Sequence, residues 1–390
     1  MITVDAALAH LFSLVHPLDI EEVPLAQAAG RILARDVTAT RDQPPFAASA
    51  MDGYAIREEE AAPGARFTVI GEAAAGHAYT GTLDAGAAVR IFTGAPLPKG
   101  ASRVIIQEDV TRDGDQITLR DKLDTKDHIR PLGCDFRHGQ AITAPRRLRP
   151  TDIALLASMN IAAVPVRRKP QVALMSTGDE LVMPGETPGP DQIIASNTFG
   201  LKALLDALGA EARILPIARD TVASLTAGFA LTRGADLIIT IGGASVGDHD
   251  LVGRVAGDLG MERAFYKVAM RPGKPLMAGR MNGAAMVGLP GNPVSAMVCG
   301  HVFIAPMINA MLGLGAQAAP RLRAPLAIPL PPNGPREHYM RAALTPAGIH
   351  PEDKQDSSLL SILANAEALM VRPASDPARN AGDMVAYLPL

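Results

Sequence analysis

Residues 235–250 read ADLIITIGGASVGDHD, and this stretch constrains the fold more than any other. Leu237 to Ile241 is a run of branched apolar side chains, the pattern of a buried strand. It breaks at once into Gly242 and Gly243, then Ser245, Gly247, Asp248 and Asp250, with a helix predicted from about Asp250. Glycines let the backbone turn sharply and leave its N–H groups uncovered, so an anion can approach. A helix beginning there adds the positive end of its dipole. The aspartates add hard oxygen ligands for a cation such as Mg2+. A plain strand-to-helix turn uses the same glycines for geometry alone, so the loop defines a site only in company.

That company comes from the rhythm after Lys169-Pro170. QVALMST, RILPIA, DLIITI and AAMVGLP read as strands. SNTFGLKALLDALGA, TVASLTAGFALTR, VGRVAGDLG and NPVSAMVCGHVFIAPMINAML read as helices between and after them. Ser196 or Asn197 is expected to cap the first, Gly209 to stop it, and Pro293 to open the last. Strand and helix in alternation predict a doubly wound, mostly parallel α/β domain over 169–318. In such a sheet ligands sit at the carboxyl ends of the strands. The loops STGDE (176–180), GGASVGDHD, KVAMRPGKP (267–275) and LPGNPVS (289–295) are therefore expected to share one rim.

Elsewhere the pattern is α/β plus β, in a multidomain chain. Residues 1–44 are expected to be helical, with Leu8, Leu11, Phe12 and Val15 on one face and a short extended piece near Gly30–Thr40. With 144–168, where RLRPTDIALLASMNI predicts a helix capped at Thr151 or Asp152, they are expected to form a helical N-terminal domain that links the others. Short alternating runs over 45–143, set apart by Gly, Pro and Asp, predict an inserted β domain. A Pro-rich shift near 319 predicts a small C-terminal β domain over 319–390.

The net charge of −3 offers no general attraction to nucleic acid or an anionic membrane, so any anion site must be local. With no Trp and 4% aromatics, base stacking is disfavoured. Two cysteines in dissimilar contexts, Cys134 and Cys299, fit a reducing cytoplasm. The N-terminus lacks the basic start of a signal peptide, and no uncharged apolar stretch is expected to span a bilayer.

On the predicted rim, Lys267, Arg271 and Lys274 flank Pro272-Gly273 and suit a compact, multiply charged oxyanion. Asn292-Pro293 places a helix start on the same rim, as a second anion seat or an ordinary cap. Asp179, Glu180 and Asp220 follow strands and serve either as carboxylates near the anion or as turn and cap residues. Several carboxylates opposite three basic side chains describe a metal-assisted phosphate site. His249 reads as a solvated loop residue. There is no G-x-S-x-G elbow and no P-loop, which removes support from serine-hydrolase and ordinary P-loop readings.

Taken in order, SAMDGYA (49–55), RIFTGAPLP (90–98), IRPLGCDFRHG (129–139), STGDEL (176–181), SNTFGLKALLDALGAE (196–211), IGGASVGDHD (241–250), KVAMRPGKP and GLPGNPVSA (288–296) resemble one family. It is the molybdopterin molybdenumtransferase, or MoeA, family, related to the E domain of gephyrin. REHYMR (336–341) and QDSSLLS (355–361) match more weakly. The resemblance implies insertion of molybdate into adenylylated molybdopterin with release of AMP and the help of Mg2+. It implies Lys267, Arg271, Lys274, Arg336 and Ser357 as partners of molybdate. Ser196, Asn197, Gly242, Gly243, Ser245 and Asn292 would bind substrate, and Glu180, Asp220 and Asp250 would hold the metal. Asp52, Thr93, Arg130 and Asp135 match functional positions of the inserted domain, which in the family reaches across a homodimer. The adenylyltransferase of the pathway is a further implied partner; neither nucleic acid nor a membrane is implied. Two departures stand out: Arg271 replaces the Lys of some members, and Asp356 precedes Ser357 where many have Gly, setting a carboxylate beside the oxyanion position. A same-fold adenylyltransferase and a non-catalytic scaffold are the alternative readings.

Overall fold

The computed structural model describes residues 1–243 and 251–390, so Ser245, Gly247, Asp248, His249 and Asp250 lie outside the described residues. Contacts divide the chain into two units. One comprises Met1–Glu21, Gly30–Ala34 and Val166–Leu390; the other comprises Glu22–Ala29 and Arg35–Pro165.

The larger unit is built on six strands: β1 (Gln171–Ser176), β2 (Glu211–Ile214), β3 (Leu237–Ile241), β4 (Glu262–Tyr266), β5 (Met277–Met281) and β6 (Ala284–Leu289). Their order is β2-β1-β3-β6-β5-β4. The first four in that order are parallel, whereas β5 runs antiparallel to both neighbours. The edge pair β4 and β5 was not legible in the sequence, where only the turn between them was singled out. Because β5 reverses direction, β4 ends on the same rim as β3 and β6, so the 267–275 turn arrives where it was expected.

Side chains alternate between the two faces of this sheet, and both faces are covered. Val172, Leu174, Leu237 and Ile239 join one core with Leu201, Leu205, Phe303 and Met307. Ala173, Met175 and Ile238 join a second with Leu225, Phe229, Val252 and Val255. The helix from Pro293 runs through a π-type turn at Gly300–Ile304 to Met311. It corrects the expectation about apolar length: by length and composition alone these 19 residues could cross a membrane. They are uncharged because they are mostly buried in the first core.

The C-terminal sheet is ordered Met270–Arg271, Glu337–Thr345, Ala368–Arg372, Met384–Pro389 and Leu322–Pro325, with Gly348–Pro351 beside the second strand. The rim turn after β4 therefore lends its own residues to this sheet.

The expectation of helix over 1–44 is corrected. A helix covers Val4–Ser13, where Thr3 Oγ1 accepts from the Ala6 N–H at 3.1 Å. Beyond it lie strands Ile20–Pro24, Ile32–Leu33 and Val37–Thr38. Pro17 and Pro24 remove backbone donors and push their predecessors out of helical geometry. In the smaller unit six strands, Arg103–Ile106, Gly53–Ile56, Ala87–Ile91, Arg66–Ala73, Gln116–Leu119 and Val110–Asp113, form one sheet in that order. Its helix Pro150–Ser158 starts one residue before the expected cap, with Pro150 in the first turn. Asp152 accepts the Arg149 N–H at 2.9 Å from inside that turn.

Candidate functional site

The glycine turn after β3 is a geometric necessity. Gly242 and Gly243 have φ of 93° and 63°. A Cβ on Gly242 would lie 2.6 Å from the Thr177 carbonyl oxygen, and one on Gly243 2.9 Å from Thr177 Oγ1. The Gly242 N–H donates to Leu289 O at 3.1 Å and the Thr177 N–H to Ile241 O at 2.9 Å, which stitches the ends of β1, β3 and β6 together. Thr177 Oγ1 is buried with no hydrogen-bond partner among the described residues.

The carboxylates that follow β1 and β2 meet. The Asp220 N–H donates to Asp179 Oδ1 at 3.1 Å. Thr221, not Asp220, caps the next helix by accepting from the Ser224 N–H, so the Asp220 carboxyl does not serve as the cap. Burial, then Asp179 and Glu180, push the pKa of Asp220 up. Asp179 is thus a turn residue, while Glu180 and Asp220 both line the rim cavity.

Ser196 occupies the N-cap of Asn197–Leu208, yet its side chain makes no capping bond. Asn197 instead reaches across the rim, Nδ2 donating to Gly291 O at 2.7 Å. Asn292 is likewise no side-chain cap: its Nδ2 donates to Ser357 Oγ at 3.1 Å. The Val294 N–H donates to Ser357 O at 3.1 Å, so the C-terminal loop is docked on the helix start. Asp356 points its charge at Ser358, accepting from that residue's N–H at 2.8 Å and its hydroxyl at 2.7 Å. The departure at Asp356 is therefore a loop-shaping carboxylate bound to its neighbour.

Of the expected cations, Lys267 adopts φ 72° and lies 5.2 Å from the Tyr266 ring centre. Lys274 is exposed on the same turn, where its carbonyl accepts from the Val268 N–H at 3.0 Å. Arg271 pairs in the C-terminal sheet opposite His338. His338 is buried and pushed down to about 4, by burial first and then by Arg271, Arg341, Arg372 and Arg336, so it stands neutral among guanidinium groups. Arg341 is the residue that sequence reasoning missed. It is fully buried, and its Nη2 donates to Lys354 O and Asp356 O, both at 3.0 Å. Its Nε and Nη1 have no partner among the described residues. REHYMR carried the signal, but only its first arginine, the half-buried Arg336, was singled out.

The cavity at the rim has a volume of about 600 Å3. It gathers Glu180, Ser196, Asn197, Asp220, Gly242, Gly243 and Asn292 from the expected set. Lys267, Arg271, Lys274, Arg336 and Ser357 do not line it, although Pro275 and Ser358, the chain neighbours of Lys274 and Ser357, do. Among the described residues no three carboxylate, His or Cys side chains close on one point.

In the smaller unit Asp52 Oδ1 accepts from the Thr93 N–H at 2.8 Å and its hydroxyl at 2.7 Å. These bonds, with Arg90, hold the carboxyl below its usual range. Arg130 pairs with Ala48, and the Asp135 N–H donates to Gln43 O at 3.0 Å. The Ser49 N–H donates to Ala95 O at 3.0 Å. Segment 43–52 thus carries Asp52 itself and is bonded to the chain at Thr93, Arg130 and Asp135.

Known proteins share this arrangement. Three family descriptions match in order: the MoeA N-terminal region (domain I and II) over 2–160, a probable molybdopterin binding domain over 173–310, and the MoeA C-terminal region (domain IV) over 323–390. They define a protein of the molybdopterin-binding class. A molybdopterin molybdenumtransferase of Nostoc sp. is 34% identical over 97% of this chain and 92% of its own length. One from Haemophilus influenzae is 37% identical over 80% and 78%. The structure of a molybdopterin biosynthesis MoeA protein from Pyrococcus horikosii covers 100% of this chain and 99% of its own, at 31% identity and a TM-score of 0.85. The chain belongs to the molybdopterin molybdenumtransferase (MoeA) family.

Proposed function

We propose that this chain is an enzyme of molybdenum cofactor biosynthesis that inserts molybdate into adenylylated molybdopterin and releases AMP. The observation that carries the reading is the charge separation around one rim. Two crowded carboxylates, Glu180 and Asp220, face the cavity. On its C-terminal side four arginines surround a neutral histidine. A tetrahedral dianion suits the arginine side, where each charge-assisted contact contributes about 1.5–3 kcal/mol. Lys267, Lys274 and Ser357 extend that side, and Arg341 supplies two unused donors within it.

The donor set fits Mg2+: Glu180 and Asp220 are hard oxygen ligands, and their mutual repulsion is what a dication relieves. Bound there, Mg2+ would neutralise the adenylyl phosphate as AMP leaves. Asp250 is the further ligand proposed from the family motif. Ser196, Asn197, Gly242, Gly243, Ser245 and Asn292 are assigned to substrate. The four-part layout of 1–44 with 144–168, 45–143, 169–318 and 319–390 is retained as the functional division. Asp52, Thr93, Arg130 and Asp135 act across a homodimer in this reading, and the protein works in the cytoplasm beside the pathway's adenylyltransferase.

The test offers purified protein adenylylated molybdopterin, Mg2+ and molybdate. AMP release that depends on molybdate supports the proposal. Consumption of ATP with unadenylylated molybdopterin, and no molybdate dependence, replaces it with the adenylyltransferase reading.

A further inference from the structure

Arg219 is an exposed residue next to Asp220 that carries no motif of its own. Its side chain nevertheless turns back along the rim. A single nitrogen, Nη1, donates to the carbonyls of Gly178 at 3.3 Å, Asp179 at 2.9 Å and Leu181 at 3.0 Å. Its backbone N–H donates to Ser224 Oγ at 2.9 Å, which ties it to the first turn of helix Val222–Ala230. The neighbouring strand ends are laced in the same direction: the Gly178 N–H donates to Ala218 O and the Ala218 N–H to Ser176 O.

The turn being held is a demanding one. Gly178 adopts φ 147°, a conformation open essentially to glycine, and a Cβ there would lie 2.7 Å from Glu180 Oε1. The Glu180 carboxyl is thus folded back over Gly178. Exposed turns open at low free-energy cost unless something fixes them, and charge-assisted bonds to three carbonyl groups of one turn do so.

Resting on the assignment of Glu180 and Asp220 to the metal, we propose that Arg219 is a positioning residue: it clamps the 178–181 turn so that Glu180 is presented beside Asp220. It acts through its donors to backbone oxygen and makes no contact with substrate. The rank order of substitutions separates this role from a purely electrostatic one. The arginine nitrogen shares two N–H donors among the three carbonyls from a planar, pre-organised fork; a lysine ammonium has three donors but no fork, a glutamine amide two on a shorter side chain, and alanine none.

The full-length parent, R219K, R219Q and R219A are compared by amide exchange and by titration with Mn2+ alone. Exchange at residues 178–182 should accelerate in the order parent, R219K, R219Q, R219A, with β3 unchanged. Mn2+ affinity should fall in the same order, by about tenfold in R219A, as loss of an outer supporting contact to a metal site typically does. The molybdate concentration for half-maximal AMP release should stay within about twofold, because a fall of affinity confined to the metal side leaves the oxyanion side intact. Unchanged exchange and Mn2+ affinity in R219A overturn the proposal. So does a pattern set by charge alone, with R219K equal to the parent and R219Q equal to R219A. Failure of the parent to bind Mn2+ overturns the metal assignment of Glu180 and Asp220, while the exchange order still decides the clamp.

Discussion

The acidic and basic sides of the rim are held by different means. Glu180 and Asp220 ride on exposed turns whose shape comes from bonds to the backbone, through Arg219 and Asp179. Arg271 and Arg341 belong to strands of the C-terminal sheet, and Arg341 is fully buried. The carboxylates are crowded by like charge, and the arginines crowd one another around His338. Arg372 is paired with Asp376, whereas Arg271, Arg336 and Arg341 make no ion pair among the described residues, and neither do Glu180 and Asp220, so each side keeps charge for a ligand of opposite sign. A side built from turns needs side-chain clamps to hold its shape, whereas one built from strands is held by the sheet ladder itself.

Asp220→Asn tests the comparison most severely. It removes charge from the acidic side alone, and AMP release should fall on the order of 10²-fold, with molybdopterin binding and molybdate half-saturation retained. Equal loss of pterin binding would show that the two sides do not act separately. On the basic side, Arg341→Met should raise the molybdate concentration for half-maximal rate about tenfold, equivalent to about 1.4 kcal/mol. Because a buried, incompletely bonded guanidinium is costly, the same substitution should leave the melting temperature unchanged or higher. Lower stability with normal molybdate response would make Arg341 structural. Lys274→Ala, on an exposed turn, should act in the same direction by only about threefold, as a single screened charge does.

Much of the acidic side was legible in the sequence, because strand-end loops and their glycines are local signals. STGDE and Gly242-Gly243 were placed on the rim correctly from strand alternation alone. Arg219 and Arg341 were not, since each works through contacts with groups far along the chain or buried by them. Asp356 shows the same limit: beside Ser357 it suggested repulsion of an oxyanion, but its partner is Ser358. The antiparallel pair β4 and β5 escaped because MAGRM and ERAFY lack the branched apolar run of the parallel strands. The helical reading of 1–44 failed where Pro17 and Pro24 outweighed the periodicity of the first turns.

A pH experiment sharpens the acidic side further. Asp220 protonates at a higher pH than an ordinary aspartate, through burial and then Asp179 and Glu180. At limiting Mg2+, activity should therefore decline as pH falls through that raised pKa. Asp179→Asn keeps an acceptor for the Asp220 N–H but removes a like charge, so the acid limb should move to lower pH. A limb that stays in place would assign it to another group.

Asp152 of the smaller unit supplies the contrast, and the smallest effect. It is buried, and it accepts from the Arg149 N–H at 2.9 Å and from Arg146 Nη2 at 2.6 Å. Burial alone would raise its pKa, but those bonds outweigh it and hold the carboxyl at about 2. A depressed carboxylate contributes stability that is present above its unfolded pKa and is lost as pH falls through the folded one. Here that contribution is about 2 kcal/mol, complete above pH about 5 and lost as the pH falls below about 2. Asp152→Asn should accordingly speed amide exchange in the first turn of Pro150–Ser158 at pH 7, with a difference from the parent that shrinks as the pH is lowered toward 3. A carboxylate already satisfied by arginine stabilises its fold and has nothing left to offer a ligand; Glu180 and Asp220, crowded and with no ion pair among the described residues, do the reverse. If Asp152→Asn changed metal response rather than local exchange, that division between structural and functional carboxylates would fail.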